Sequence, residues 1–355
     1  MKKIIFTGGG TAGHVTPNIA LIRRLQDEGW EVHYIGTEKG MEHALIAALP
    51  GVKYHAISSG KLRRYFSWEN FIDPFRVLKG IVQSRRIIRS VRPDVVFSKG
   101  GFVSVPVVIG AGKTHVVAHE SDYTPGLANR IASHFSDTIC VTFEDTLRFV
   151  GKKKGVFTGT PIRPELYHGD RERALAFTGL TGKKPVLLIM GGSLGAQRLN
   201  ELVHEALPML RTRFEIIHLC GRDKAEHAFD CPGYVQYEYI TTELPDLFAL
   251  CDIVLSRAGA NAMFEFLALG KPVVFVPLSA ASTRGDQLQN TEYCVKKGLA
   301  LSLDQSTATA ETLVAALDTL YRERETFQAN MRRDTRLDGT DEILAEIRRA
   351  AGVRP

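Results

Sequence analysis

The sequence predicts an α/β protein of two domains, each a parallel sheet with helices on both faces, on three observations. Short β-branched runs alternate with amphipathic helical patterns along most of the chain. The alternation stops and restarts near residue 160, and 355 residues exceed what one compact core ordinarily holds. Each half reads as a Rossmann-like domain, the two facing across a cleft, with ligands collecting at the strand C-terminal edges.

The first domain, 1–160, opens with the strand "KIIFTG", the helix "NIALIRRLQDEG" and the strand "EVHYIG", and "DVVFSKGG", "THVVAHE" and "DTICVT" are its later buried strands. At "TGTPIRPELY", residues 158–167, two prolines and a glycine coincide with the end of the alternation, which marks the boundary and a hinge. The second domain, 161–340, restarts as strand, Gly-rich turn and helix in "KKPVLLIMGGSLGAQRLNELVHEAL". "FEIIHLCG", "DIVLSRAG" and "KPVVFVPL" supply its further strands. A final helix, 341–355, begins in "TDEILAEIRRAAG" with Thr340 or Asp341 as N-cap, and can pack back on the first domain.

Composition excludes several classes. The chain has no run of about 18 apolar residues and no signal-peptide pattern behind Met1, so neither spanning nor secretion is expected. Five scattered cysteines show no metal-ligand spacing and suit a reducing compartment. The net charge of +6 is local: residues 61–92 carry nine Lys or Arg against Glu69 and Asp73, and the remainder nets −1. No nucleic-acid recognition motif accompanies that patch. Within "WENFIDPFRVLKGIVQSRRIIRS", Asp73 and Pro74 read as a helix start. From there Val77, Ile81 and Ile88 share a core face, while Phe75, Lys79, Val82 and Arg86 form a mixed apolar and cationic stripe. Such a stripe suits an anionic membrane surface, with Trp68 and Phe71 upstream to deepen the contact, or else is a solvated helix face.

Four glycine-rich loops are expected at strand ends: "GGGTAGH", "KGGFVS", "GGSLGA" and "SRAGANAMFE". Gly8, Gly10 and Gly13 have the dinucleotide-binding spacing, and Glu38 is a passable ribose ligand for that reading. Against it stand His14 and Pro17 directly after the glycines, and a second such loop that a dehydrogenase does not need. "GGSLGA" exposes backbone N–H groups at a helix start, where an anion such as a diphosphate sits well. Glu265 reads either as an acceptor for ribose hydroxyls or as a favourable charge near a helix N-terminus. The amides of "RGDQLQN" suit sugar hydroxyls, and equally a polar turn.

In this order, "GGGTAGH", "KGGFVSVP", "HESD", "TGTPIR", "GGSLGAQRLN", "SRAGANAMFE" and "DQLQN" resemble the MurG family of bacterial glycosyltransferases over nearly the whole chain. The resemblance implies a GT-B glycosyltransferase fold, with an acceptor-side first domain and a donor-binding second domain. It implies inverting transfer of N-acetylglucosamine from UDP-N-acetylglucosamine to the lipid-linked muramoyl-pentapeptide lipid I, giving lipid II, at the cytoplasmic face of the membrane and without a cofactor, and it carries over no metal-binding residue. Carried over by position, it puts Thr11, Ala12 and Gly13 beside donor and acceptor, with His14 as the catalytic acid/base. It puts Arg163 and Ser193 at the nucleotide and its diphosphate, the backbone of Ile240 at uracil, Glu265 at the ribose and Gln287 with Asn290 at the sugar, with Ala260 a further substrate-binding position. Asn129 and Asn200 also match family positions. The chain departs from the pattern where "HESD" replaces His-Glu-Gln-Asn, so Asp122 replaces an amide. Phe102 stands where tyrosine is common, and "TAGH" replaces Thr-Gly-Gly-His. A UDP-N-acetylglucosamine 2-epimerase, which needs no lipid acceptor, and a silent sugar-nucleotide-binding protein are the alternatives.

Overall fold

The computed structural model describes residues 1–60, 69–151, 154–192, 196–279 and 285–353. The chain forms two compact units: residues 1–163 with 338–355, and residues 164–337.

The first unit is built on strands β1 (Lys3–Thr7), β2 (Glu31–Thr37), β3 (Lys53–Ile57), β4 (Val95–Ser98), β5 (His115–Glu120), β6 (Thr138–Val141) and β7 (Gly155–Phe157). They pair in parallel in the order β3-β2-β1-β4-β5-β6-β7. Between them run α1 (Thr16–Asp27), α2 (Met41–Ala47), α3 (Glu69–Val91), α4 (Ser104–Gly110), α5 (Leu127–Ala132) and α6 (Leu147–Val150). Alternation along each strand sorts the core. Ile4, Phe6, Val95 and Phe97 point to one face with Leu21, Ile22 and Leu25 of α1, while Ile5, Val96 and Val116 meet Val107, Val108 and Ile88 of α4 and α3 on the other.

The second unit carries α7 (Arg171–Thr178), β8 (Val186–Met190), α8 (Gln197–Arg213), β9 (Glu215–Leu219), β10 (Tyr234–Tyr237), α9 (Leu244–Leu250), β11 (Ile253–Ser256), α10 (Ala260–Ala268), β12 (Val273–Phe275), α11 (Asp286–Lys296), β13 (Leu301–Ser302), α12 (Ala310–Arg322) and α13 (Arg324–Arg333). Its strands are again parallel, in the order β10-β9-β8-β11-β12-β13. The last helix, α14 (Thr340–Ala350), belongs to the first unit. There Ile343, Leu344 and Ile347 are fully buried in the α1 face of the core, and Arg24 and Arg348 pair with Asp341 and Glu28 across the two helices.

Two helix starts differ from the sequence reading. Helix α3 begins at Glu69, with Pro74 inside it. Asp73 is 2% exposed and pairs with Arg76 at 3.1 Å, so its carboxylate answers a cation one turn on. Helix α14 has Gly339 rather than Thr340 or Asp341 at its N-cap. The carboxylate that accepts the first N–H is that of Asp338, which takes both the N–H (2.9 Å) and the hydroxyl (2.6 Å) of Thr340. The α3 stripe itself is exposed: Phe75 is 71% and Val82 52% accessible, joined by Leu78 at 59%, with Lys79 and Arg86 also exposed. Trp68 and the Phe71 side chain lie outside the described residues. No helix among the described residues is long and apolar enough to cross a membrane.

Candidate active site

In each sheet the strand order reverses beside one strand. β1 has β2 on one side and β4 on the other, and β8 has β9 and β11. Successive crossovers leave such a strand in opposite directions, so the loops beyond its C-terminal end part and open a crevice. The four glycine-rich loops follow β1, β4, β8 and β11, the four strands flanking these two points.

In the first unit the loops after β1 and β4 interlock. A Cβ on Gly101 (φ +81°) would strike the Gly9 carbonyl and stand 3.3 Å from the His14 ring, and one on Gly10 (φ +89°) would strike the Phe102 ring. Only glycine permits both the backbone conformation and this approach. His14 closes a short 3-10 turn, Ala12–His14, and its Nδ1 lies 2.8 Å from Thr11 Oγ1. Thr11 is exposed, and Ala12, Gly13 and His14 are half-buried. Beneath the loop is a residue the sequence reading missed. Glu42 is fully buried. It accepts from the Gly10 N–H at 3.3 Å and the Thr37 N–H at 3.0 Å. The Gly10 donor is therefore engaged by a carboxylate, whose charge opposes a pyrophosphate at this point. That argues physically against the dinucleotide reading, and Glu38, its ribose candidate, is exposed just past β2.

At the ends of β4 and β5 lies a buried polar cluster. Glu120, 4% exposed, accepts from the N–H groups of Asp122 (2.9 Å) and Gly126 (3.1 Å) and from Asn129 Nδ2 (2.9 Å). Asn129 also donates to the His119 carbonyl at 3.2 Å, and its side chain abuts Gly100. His119 is fully buried with Nε2 2.9 Å from the Gly159 carbonyl, and burial, reinforced by Lys99, holds it well below the usual imidazole range. Arg163, half-buried, is the last residue of this stretch of the unit.

In the second unit the N-cap residues of α8 and α10, Ala196 and Gly259, make no side-chain cap, and neither first turn holds an acidic residue, so the first N–H groups suit an anion. Ser193 lies outside the described residues. Ala260 is the first residue of α10, and Glu265, half-buried, falls in its second turn. A helix terminus acts mainly over one turn, so the helix-end account of Glu265 weakens. Ile240, 8% exposed, follows β10. Gln287 Oε1 accepts from the Leu278 N–H at 3.0 Å. Asn290, fully buried, donates to the Ala258 carbonyl at 3.4 Å. Both therefore brace the loops that follow β11 and β12. Arg257, also missed in the sequence reading, is 7% exposed and donates to the Val276 carbonyl at 2.7 Å. Burial lowers its pKa, so a retained guanidinium charge at this switch point favours an incoming anion.

Asn200 is 2% exposed. Its amide donates to the Cys220 carbonyl at 2.9 Å, and its Oδ1 lies 3.2 Å from His218 Nε2. His218 Nδ1 in turn lies 2.8 Å from the Tyr234 hydroxyl. This network ties α8 to the ends of β9 and β10.

Paired parallel sheets with glycine loops at both switch points make this a GT-B glycosyltransferase fold. Residues 4–141 match the glycosyltransferase family 28 N-terminal domain, and residues 186–346 its C-terminal domain. The chain is 49% identical over 353 residues to the UDP-N-acetylglucosamine–N-acetylmuramyl-(pentapeptide) pyrophosphoryl-undecaprenol N-acetylglucosamine transferase of Geobacillus thermodenitrificans (strain NG80-2), covering 99% of each chain. Among solved structures, Acinetobacter baumannii MurG superposes with a TM-score of 0.77 at 26% identity, covering 98% of this chain and 100% of that one. A UDP-GlcNAc 2-epimerase from Neisseria meningitidis bound to UDP-GlcNAc matches at 0.69 with 14% identity over 98% of this chain and 99% of that one, a likeness of fold alone. The chain belongs to the MurG family of N-acetylglucosamine transferases.

Burial pushes the His218 pKa from 6.5 to about 3. Between those values the unfolded chain binds a proton that the folded chain refuses, so stability falls as pH drops through that window. In His218→Asn, denaturant midpoints measured from pH 7 to pH 4 are expected to decline less steeply, by up to about 1.4 kcal/mol per pH unit. A curve parallel to the parent's would show that His218 titrates normally.

Proposed function

We propose that the chain moves N-acetylglucosamine from UDP-N-acetylglucosamine onto lipid I, the undecaprenyl-diphospho-muramoylpentapeptide, with inversion, giving lipid II in peptidoglycan synthesis. One observation carries the reading: the chain shares 49% of its residues, over 99% of both chains, with a transferase so named. The acceptor hydroxyl attacks the anomeric carbon, His14 takes the hydroxyl proton, and the electron pair of the breaking bond leaves with UDP. With its proton on Nδ1, donating to Thr11 Oγ1, the imidazole presents Nε2 as the base. Thr11, Ala12, Gly13 and Asn129 shape the first-unit side of the reaction. Arg163, Ser193 and the start of α8 stabilise charge on the departing diphosphate. The Ile240 backbone takes uracil, Ala260 and Glu265 take the ribose, and Gln287 reads the sugar. Buried Asn200 and Asn290 hold the donor loops rather than touch the donor.

The enzyme works as a peripheral protein on the cytoplasmic face, resting on the exposed α3 stripe while the polyprenyl chain stays in the bilayer. No divalent ion, cofactor or nucleic acid enters this scheme.

UDP release from UDP-N-acetylglucosamine with a lipid I analogue tests the assignment. Formation of UDP-N-acetylmannosamine from the donor alone would replace it with epimerase chemistry. His14→Ala is expected to lose turnover by about 100- to 10,000-fold while still binding UDP; near-full turnover would move the base elsewhere. Glu265→Ala is expected to raise the donor KM about tenfold or more through loss of a charge-assisted hydrogen bond. Unchanged donor affinity with a lowered Tm would assign Glu265 to the fold. Changing Phe75, Lys79 and Arg86 together is expected to weaken sedimentation with anionic liposomes at unchanged UDP affinity, by about 1 kcal/mol for each lost cation at low salt. Equal liposome binding by variant and parent refutes the α3 surface.

A further inference from the structure

Lys99 begins the loop that touches Gly9 and His14, and the reaction scheme leaves it unused. Its side chain is 1% exposed, the most deeply buried lysine among the described residues. Its ammonium donates to the hydroxyl of Ser121, the residue between Glu120 and Asp122. A buried ammonium is costly to desolvate, and one neutral hydroxyl does not offset that cost, so carboxylate charge has to stand nearby. Burial drives the Lys99 pKa down, while Glu120 and Asp122 draw it back up. Burial and the Asp122 charge push Glu120 the other way, upward. His119, the third titratable neighbour, is kept neutral by burial and by Lys99.

These groups carry structure as well as charge. Ionised Glu120 holds three donors, the N–H groups of Asp122 and Gly126 and the amide of Asn129. A proton on Glu120 would set a donor against those donors. Two carboxylates so placed without Lys99 would favour that protonation. Asp122 stands where the related pattern has a neutral amide, and it is half-buried, two residues beyond the C-terminal end of β5.

We infer that Lys99 is the counter-charge that makes an aspartate at position 122 compatible with an anionic diphosphate substrate in this crevice. Lys99 acts through Asp122 and Glu120 and is a positioning residue, not a catalytic one. The inference rests on the proposed function, because that reading brings diphosphates to the site.

The test is a double-mutant cycle of parent, Lys99→Met, Asp122→Asn and the double variant, measuring Tm, kcat and the KM for UDP-N-acetylglucosamine and for a lipid I analogue. Lys99→Met is expected to raise the KM of at least one diphosphate substrate about tenfold and to lower Tm, and the double variant to recover most of both losses. Additive effects, or an unchanged KM in Lys99→Met, overturn the inference, because a packing role for the lysine stem gives no rescue when Asp122 loses its charge. If Lys99→Met does not fold, a folded and active double variant supports the pairing, and an equally unfolded one overturns it. The Tm cycle needs no turnover. Coupled melting in a protein whose parent transfers no sugar condemns the proposed function alone, whereas uncoupled melting with normal parental transfer condemns the charge pair alone.

Discussion

The strand order beside β1 and β8 is the constraint on which the rest of the structure depends. Parallel strands joined by right-handed crossovers can extend a sheet on only one side at a time. Growth first toward β3 and then toward β7 sends the chain leaving β1 and the chain leaving β4 to opposite faces of the sheet, and the same reversal occurs beyond β8 and β11. Residues far apart in sequence thereby share an edge: His14 with Gly101, and Ala258 with Asn290. In the first unit main-chain groups fill the crevice, because the two loops approach closely at Gly10 and Gly101 and glycine allows it.

Around the first-unit crevice the fold places buried charge where a protein usually avoids it. Glu42 lies under the β1 loop, and Glu120 and Lys99 lie behind the β4 and β5 loops. Each carboxylate accepts from two backbone N–H groups and one side chain, the Thr37 hydroxyl at Glu42 and the Asn129 amide at Glu120. The second unit reaches a similar end with a different sign, setting a buried guanidinium, Arg257, and two uncapped helix starts at its switch point. A unit with positive groups at its crevice suits an anion, while the other unit sets the His14 imidazole at its crevice.

Much of this was legible in the sequence. The alternation of β-branched runs and amphipathic segments marks the strands and helices because a sheet covered on both faces needs uniformly apolar strands. The four glycine loops stand out by composition, and in the first-unit pair close approach at Gly10 and Gly101 excludes other residues. Helix starts were less legible. Asp73-Pro74 has the composition of a helix start, yet the carboxylate found a better partner in Arg76, and α14 took its acceptor from Asp338, two residues before the helix. Caps depend on which donor a carboxylate reaches in space, and local sequence does not record that.

The sequence by itself determined the alternating elements, the glycine loops, the apolar and basic stripe on α3 and the ordered motifs that place the chain in its family, because each depends on spacing or composition within a short window. Only the tertiary structure decided which loops meet, that Glu42 occupies the Gly10 N–H, that Asn200 and Asn290 are buried braces, and that the buried Lys99 ammonium reaches Ser121, between Glu120 and Asp122. Those facts depend on strand order, which brings residues tens of positions apart within hydrogen-bond distance and leaves no trace in any single segment.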